Sequence, residues 1–285
     1  MEKSKKRSVP RRSSAKINLF LDVLSKRPDG YHNIRTIFSE IELYDHLNFT
    51  LTKNRGIRIL SGTEFVSLKK NLIYKVAIFI QEKYNVNNGV VIKLEKNIPV
   101  SGGLGGGSSN AAHTILALND LWELNLTEAD QHKIAREFGS DINFFLKGGT
   151  ALGEGRGEKI REIQDIDIDN IFLVNPGFGI SSQEAYQAVV IPEKENENWK
   201  FLLETGKMEY CYNALESGIC RLFPDIQATL DFMRENGAVK AMLSGSGATM
   251  IGFCPNREIA EKFSEYFSKK KYWNCITKTI KRSSR

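Results

Sequence analysis

One glycine-rich stretch, residues 97–112, constrains this chain more than any other. It reads NIPVSGGLGGGSSNAA and is followed by an apolar run with helical periodicity. Clustered glycines allow successive backbone N–H groups to turn toward one point, and the positive end of a following helix favours an anion there. The stretch therefore predicts a phosphate-binding loop that leads into a helix.

Two familiar glycine fingerprints do not fit this loop. Gly102 and Gly107 have the spacing of a Walker A motif, but Ser108 stands where that motif needs its lysine. Gly103 and Gly105 begin a dinucleotide-binding fingerprint, yet Ser108 again replaces the third glycine. The loop must belong to another class of phosphate-binding sequence.

The positive charge of the chain is confined to its two ends. Residues 1–12 carry six Lys or Arg against one acid, and residues 269–285 carry seven with no acid. The formal charge of +6 therefore leaves −6 in residues 13–268. Both ends are predicted to be solvated, disordered tails. Without a basic folded face, a nucleic-acid partner is not expected, and a basic-tailed nucleic-acid-binding module remains only an alternative.

Composition limits the remaining classes of protein. A chain of 285 residues with 41% hydrophobic content is large enough for two domains. Its four cysteines are too far apart for C-x-x-C pairs, which predicts reduced thiols, no structural zinc and a cytoplasmic location. Residues 97–119 are uncharged, but their glycines, serines and Pro99 argue against a membrane span. The leader has no apolar run typical of a signal peptide.

Periodicity predicts a mixed α+β chain. Alternation predicts strands at 14–23, 34–43 and 47–51, and a helical stripe predicts a helix at 70–84 with Asn71 as its N-cap. Strands without steady βαβ alternation favour α+β. We predict a basic disordered leader at 1–12 and two domains, an N-terminal one at 13–161 and a C-terminal one at 171–285. Further strands are predicted at 90–94, 171–174, near 241 and at 275–280. Further helices are predicted at 111–124, 127–139, 183–190, 201–217, 224–236 and after Asn256. Ser108, Ser109 or Asn110 is expected to cap the helix at 111–124, and residues 127–130 resemble the capping box of the next helix.

Four segments together resemble one kinase family. They are Ala15–Leu19 (AKINL), Asp29–His32 (DGYH), Pro99–Ala112 and Ser244–Gly247 (SGSG). In this order they resemble the 4-diphosphocytidyl-2-C-methyl-D-erythritol kinases, a family of the galactokinase, homoserine kinase, mevalonate kinase and phosphomevalonate kinase superfamily. The resemblance runs from Ser14 to about Ile280. It implies two α+β domains, an N-terminal one like ribosomal protein S5 that binds ATP and substrate and a C-terminal ferredoxin-like one, with the active site in the cleft between them.

The resemblance also implies a reaction. Kinases of this family transfer a phosphoryl group from ATP, with Mg²⁺, to the 2-hydroxyl of 4-diphosphocytidyl-2-C-methyl-D-erythritol, in the methylerythritol phosphate pathway of isoprenoid precursor biosynthesis. The expected partner is this small molecule, with no membrane, and the oligomeric state is left open. One alternative is a sister kinase of the homoserine or mevalonate type, whose acceptor has no base for Tyr31 and His32 to bind. Another is a non-catalytic nucleotide-binding protein, against which Lys16 and Asp141 argue.

Matching positions carry the family's catalytic and phosphate-binding roles. Asp141 is expected to accept or orient the proton of the attacking hydroxyl, although an acid at a helix start is also an ordinary cap. Lys16 is expected beside it, because a nearby cation favours the carboxylate form. No protein ligand of Mg²⁺ is assigned beyond Ser108 as a candidate contact. The ATP phosphates are expected at Pro99, Gly102, Gly103, Leu104, Gly105, Gly106, Gly107, Ser108 and Ser109, where the two serines serve equally well as helix caps.

The acceptor is expected to meet a second group of residues. Tyr31 and His32 match the pair that reads the cytosine, because an aromatic face stacks on a base and imidazole bonds to its edge. Phe38 matches another aromatic of the base site, although an apolar strand residue is core by default. Asn18 is expected at the polyol or diphosphate. Tyr186 stands where relatives carry a phenylalanine over the base.

Overall fold

The computed structural model describes residues 7–62 and 68–284 and confirms the predicted α+β class. Two long strands, β1 (Ser8–Lys26) and β2 (His32–Thr52), contribute to both of its compact units. The unit boundaries consequently fall inside strands. The first unit holds the described residues up to Ala15, Leu43–Ile98 and Gly106–Leu146, and the second holds Lys16–Glu42, Pro99–Gly105 and the described residues from Lys147 onward.

The first unit packs helices on a small sheet. The second half of β2 pairs antiparallel with β4 (Gly89–Glu95), in a register that runs from His46 opposite Glu95 to Thr52 opposite Gly89. Strand β3 (Ile57–Ser61) then pairs parallel with β4. Apolar side chains such as Phe49, Ile92 and Ile115 are fully buried in this unit. Its helices are α1 (Leu72–Lys83), α2 (Gly106–Leu121), α3 (Glu128–Phe138) and α4 (Ile142–Lys147).

Local capping signals located two of these helices correctly. The Asn71 side chain accepts from the backbone N–H of Ile73 at 2.9 Å, as predicted for α1. Thr127 and Asp130 form the reciprocal capping box of α3. The predicted start of α2 is wrong, because this helix begins at Gly106 rather than at residue 111. Gly106 and Gly107 adopt helical backbone, so Ser108, Ser109 and Asn110 lie in the first turns of α2 and do not cap it.

The leader is ordered where the structure describes it. The Arg7 carbonyl accepts from the Leu51 N–H at 3.0 Å, and Ser8 Oγ donates to Asn48 Oδ1 at 2.6 Å. Arg7 and Arg11 form ion pairs with acids at the end of α2, Glu123 and Asp120 respectively. The disorder predicted for residues 1–12 is therefore wrong for residues 7–12, and residues 1–6 lie outside the described part of the chain.

The second unit contains two groups of strands. The first half of β2 pairs antiparallel with β5 (Thr150–Gly155), β5 pairs with β6 (Lys159–Glu162), and β1 pairs parallel with β8 (Tyr212–Asn213). A separate antiparallel sheet has the order β11 (Trp273–Thr277), β7 (Ile171–Asn175), β10 (Met250–Phe253), β9 (Lys240–Leu243). The helices are α5 (Ser182–Gln187), α6 (Asn198–Thr205), α7 (Glu216–Leu222), α8 (Pro224–Glu235) and α9 (Arg257–Lys269).

Two further predictions are wrong in this unit. Residues 201–217 do not form one helix, because α6 ends at Thr205 and is followed by Gly206, which adopts a left-handed backbone with φ of 66°. The C-terminal tail is not disordered where it is described. It forms β11, and Arg282 then binds it to residues 148–165. The Arg282 backbone N–H donates to Asp165 at 2.7 Å, and its guanidinium donates to the Gly148 and Thr150 carbonyls at 2.9 and 2.8 Å.

No helix in the described part of the chain has the length and apolar character needed to cross a bilayer.

Candidate active site

A buried lysine lies at the centre of the predicted site residues of the second unit. Lys16 is 4% exposed, and its Nζ donates to Asn18 Oδ1 at 2.6 Å and to the Gly103 carbonyl at 3.0 Å. Residues two apart on a strand share a face, which is why β1 presents Lys16 and Asn18 together. Asn18 Nδ2 donates to Thr36 Oγ1 at 2.7 Å, and this bond turns the Asn18 carbonyl oxygen toward the ammonium.

Phe38 lies beside the same lysine. The Lys16 Nζ is 5.5 Å from the centroid of the Phe38 ring, within the range of a cation–π contact. Phe38 itself is 2% exposed. The structure thus brings Lys16, Asn18 and Phe38 together, while a contact of Phe38 with a base remains a prediction.

Two glycine loops converge on Lys16. The Lys16 backbone N–H donates to the Leu104 carbonyl of the first loop at 2.9 Å. The Ser244 hydroxyl of the second loop donates to the Gly103 carbonyl at 3.2 Å. A Cβ on Gly245 would lie 3.3 Å from the Lys16 Nζ. Both loops predicted from the sequence therefore surround the ammonium group.

The first loop has an unusual backbone. Ser101, Gly103 and Gly105 all have positive φ, at 53°, 75° and 69°. Glycine adopts this region at little cost, whereas a residue such as serine is strained there by about 1–2 kcal/mol. Gly103 also allows close contact, because a Cβ at this position would lie 1.9 Å from the Ser244 carbonyl oxygen. Gly103 is thus required by both backbone conformation and space, and Gly105 is favoured by its backbone conformation.

Two residues that support the loops were not predicted. Asn213 Nδ2 donates at 2.8 Å to the Leu243 carbonyl and at 2.8 Å to the Gly245 carbonyl, which fixes the second loop. The Thr249 backbone N–H donates to the Gly102 carbonyl at 3.3 Å. A single asparagine in a stretch predicted to be helical carries no signal of this role. Only the position of β8 beside β1 reveals it.

Aromatic side chains gather after the turn at residues 27–30. Tyr31 is 56% exposed, and the Arg156 guanidinium lies 4.8 Å from its ring centroid. The Asp29 carboxylate accepts from the Tyr31 backbone N–H at 3.1 Å and orients the residue. His32 stacks on Tyr186 with ring centroids 5.2 Å apart and an angle of 19°. Two of the predicted base-reading residues, His32 and Tyr186, are therefore in contact.

His32 is electrostatically suited to accept a hydrogen bond. Burial, together with the positive charge of Lys26, lowers the pKa of His32 below its ordinary value of 6.5. The imidazole is consequently neutral near pH 7, with one ring nitrogen that donates and one that accepts.

Of the remaining predicted residues, Pro99 belongs to the second unit, whereas Gly106, Gly107, Ser108, Ser109 and Asp141 belong to the first. Ser109 is fully buried, and its hydroxyl is hydrogen-bonded to the Ser13 hydroxyl at 2.7 Å. Ser108 is half-buried in the first turn of α2. Asp141 is half-buried directly before α4. Since Lys16 belongs to the second unit, its pairing with Asp141 stays a prediction.

Two family models match the chain. The GHMP kinases N terminal domain matches residues 71–149, and the GHMP kinases C terminal matches residues 202–272. Together they include the first glycine loop and the position of Asp141.

Relatives named as kinases match nearly the whole chain. A 4-diphosphocytidyl-2-C-methyl-D-erythritol kinase of Caldicellulosiruptor bescii is 40% identical over 88% of the chain and 91% of the relative. The kinase of the same name from Clostridium novyi is 36% identical over 94% of the chain and 99% of the relative.

Solved structures show the same fold. A crystal structure of a 4-(cytidine 5'-diphospho)-2C-methyl-D-erythritol kinase matches with a TM-score of 0.80 at 30% identity, covering 95% of this chain and 100% of that one. A homoserine kinase from Cytophaga hutchinsonii matches with a TM-score of 0.70 at 16% identity, covering 98% and 96%. The second likeness concerns the fold alone. The predicted family and its two-domain α+β fold are thus confirmed.

Proposed function

We propose a substrate and a catalytic arrangement for this chain. The chain belongs to the 4-diphosphocytidyl-2-C-methyl-D-erythritol kinases of the GHMP kinase family. It is therefore an ATP-dependent small-molecule kinase. The proposed reaction moves the terminal phosphoryl group of ATP to the 2-hydroxyl of 4-diphosphocytidyl-2-C-methyl-D-erythritol. The observation that carries this assignment is the 36–40% identity, over most of the chain, with kinases named for that acceptor.

The aromatic group supports an acceptor that bears a base. Tyr31 offers an exposed ring, and the His32–Tyr186 pair adds a neutral imidazole beside a second ring. A cytosine has a flat face for stacking and an edge with hydrogen-bond donors and acceptors. Mevalonate and homoserine carry no base, so this group of side chains favours the cytidine-bearing acceptor over those of the sister kinases.

Phosphoryl transfer itself requires positioning and charge stabilisation more than covalent chemistry. The proposed roles follow from this requirement. Backbone N–H groups of Gly103, Gly105, Gly106 and Gly107 hold the ATP phosphates. The Lys16 ammonium, held by Asn18 and the Gly103 carbonyl, offsets the negative charge of the transferring group. Asp141 accepts the proton of the acceptor hydroxyl as the new bond forms.

Mg²⁺ is the proposed metal. The side chains of the described residues fit an ion that is bound mainly through the phosphates of the nucleotide. Among the described residues there is no cluster of three His, Cys, Asp or Glu that would hold an ion alone. Mg²⁺ prefers oxygen ligands, keeps several waters and is commonly bound through substrate phosphates. Ser108 is the proposed protein contact, because the neighbouring Ser109 hydroxyl is already bonded to Ser13. When bound, the metal would neutralise charge between the phosphates.

An acceptor panel tests the assignment. ADP release is measured with 4-diphosphocytidyl-2-C-methyl-D-erythritol, mevalonate and homoserine under identical conditions. We expect turnover with the first acceptor and a kcat/KM at least about 100-fold lower with the other two. A preference for mevalonate or homoserine would refute the acceptor while leaving the kinase family intact.

Three sequence predictions accompany this proposal. The domain division at 13–161 and 171–285, the cytoplasmic location and the roles given to individual site residues stay predictions.

A further inference from the structure

Asp45 is a buried carboxylate outside the predicted site. It lies on β2, and its side chain is fully buried. Burying an ionised carboxylate is costly unless hydrogen bonds and a counter-charge replace the lost water. The partners of Asp45 therefore indicate what its burial achieves.

Asp45 binds the chain where it enters the glycine loop. Its Oδ1 accepts from two successive backbone N–H groups, that of Asn97 at 2.7 Å and that of Ile98 at 2.9 Å. The Lys96 ammonium lies 3.0 Å from Oδ2 and supplies the counter-charge. Three consecutive residues immediately before Pro99 are thus held by one carboxylate.

Asp45 also binds the chain where it leaves the loop. Asn110, in the second turn of α2, donates from Nδ2 to Asp45 Oδ2 at 2.9 Å. Because a carboxylate only accepts, the amide nitrogen must face it and the Asn110 Oδ1 must turn away. That buried oxygen has no hydrogen-bond partner among residues 7–62 and 68–284.

The two flanks of the loop pack closely at this point. A Cβ on Gly106 would lie 2.9 Å from Ile98 Cγ2 and 3.3 Å from the Lys96 Nζ. The first residue of α2 is therefore pressed against the residues that Asp45 holds. The spacing between the entry and exit of the loop depends on this small cluster.

We propose that Asp45 is a positioning residue for ATP binding. Asp45 holds both flanks of the glycine loop, so that the backbone N–H groups of the loop keep their direction before the nucleotide binds. A loop that is ordered in advance loses less conformational freedom on binding and stabilises developing charge better. The inference rests on the proposed assignment of this loop to the ATP phosphates.

The test compares Asp45→Asn with a matched variant, Asp22→Asn. Asp22 is also a buried carboxylate, 1% exposed, and accepts from two backbone N–H groups, those of Val23 and Asn196, each at 2.9 Å. Affinity for a non-hydrolysable ATP analogue is measured by calorimetry, and KM is measured separately for ATP and for the acceptor. We expect Asp45→Asn to raise both the Kd of the analogue and KM for ATP about tenfold, with KM for the acceptor unchanged.

Asp22→Asn is expected to lower the melting temperature but to leave the analogue affinity unchanged. If Asp45→Asn lowers only the melting temperature, Asp45 is structural and the proposal is wrong. Asp45→Glu is a second test, which separates the charge of the side chain from its position. It keeps the charge beside Lys96, while the longer side chain displaces the carboxylate from the Asn97 and Ile98 N–H groups. The same rise in Kd is expected there, and unchanged affinity would overturn the proposal. Analogue binding needs no acceptor, so a wrong acceptor assignment would not disturb this test.

Discussion

At the scale of single residues, the environment of Lys16 explains how a charged group is kept inside a fold. The side chain is 4% exposed, yet oxygen acceptors from Asn18 and Gly103 meet its ammonium at 2.6 and 3.0 Å. Burial of a lysine is tolerable when such acceptors replace water. A cation held in this way is directed to one place, as charge stabilisation during phosphoryl transfer requires.

Replacing the proposed base tests its role. Asp141→Asn keeps the size of the side chain but removes the proton acceptor, so we expect kcat to fall at least about 100-fold. Affinity for an ATP analogue should change less than about threefold, because the loop is untouched. Asp225→Asn is the matched control, since Asp225 is likewise an acid at the start of a helix, in the first turn of α8. Near-normal kcat in Asp141→Asn would remove this residue from catalysis.

The state of His32 predicts a pH dependence of acceptor binding. Burial and Lys26 lower its pKa below 6.5, so the ring is neutral at pH 7–8 and gains a proton only in more acidic solution. Protonation removes the ring acceptor. KM for the acceptor should therefore be constant from pH 8 to 7 and rise as pH falls below 6.5, while KM for ATP stays level. His32→Gln cannot titrate in this range and should abolish the rise. A rise that persists in His32→Gln would assign it to another group.

At the scale of elements, the first glycine loop combines a left-handed backbone with very close packing. Gly103 has φ of 75°, and a side chain there would collide with the Ser244 carbonyl of the second loop. The loop therefore cannot accept a Cβ at this position without moving away from the Lys16 ammonium, to which its carbonyl is hydrogen-bonded.

This geometry predicts a large effect from one methyl group. Gly103→Ala should reduce kcat/KM for ATP at least about 100-fold, because the loop must shift by more than an ångström to relieve the clash. Gly62→Ala is the control, since a Cβ on Gly62 would have no heavy atom of the described residues within 4 Å and no positive φ is required there. Steady-state kinetics on both variants, with melting temperatures, separates loss of function from loss of folding. Similar activity of the two alanine variants would contradict the packing argument.

Elements defined by local signals were the ones the sequence predicted well. The starts of α1 and α3 depend on a cap and the residues just after it, so Asn71 and Thr127 were sufficient. Strands β5, β6 and β10 were not predicted, because their short segments become strands only through distant partners, as when β5 pairs with the first half of β2. The start of α2 was misplaced because glycine and serine are poor helix formers and tertiary packing outweighs that preference.

The candidate site shows the same difference between residues with a local sequence signal and residues without one. Lys16, Asn18 and both glycine loops were found from motifs, and the second unit brings them together. Asn213 and Asp45 were not found, since a buried polar residue is recognised only by the groups it meets. Their sequence neighbours give no indication of those groups.

At the scale of the whole molecule, burial controls the chemistry of the cysteines. Burial raises the pKa of Cys211 and of Cys254 to about 12, and that of Cys220 to about 11. Burial also raises the pKa of Cys275, which is half-buried. Because the thiolate is the reactive form, folding should protect all four side chains.

Thiol labelling measures this protection. At pH 8 the folded protein should react with a thiol reagent at least about 100-fold more slowly than the protein in denaturant, where all four cysteines have ordinary pKa values near 9 and react. Kinase activity should not depend on added reductant. Cys275→Ser serves as the control for the half-buried thiol. Rapid labelling of two or more cysteines in the folded protein would contradict the burial.

The pairing of β1 with β8 has a consequence for any attempt to divide this protein. These strands are neighbours through Phe20 opposite Tyr212 and Leu21 opposite Asn213, although nearly two hundred residues separate them in the chain. A cut anywhere between residues 163 and 170 would place β1 on one fragment and its partner on the other. Neither fragment would carry a complete second unit, so the halves would have to be produced together and reassemble by complementation.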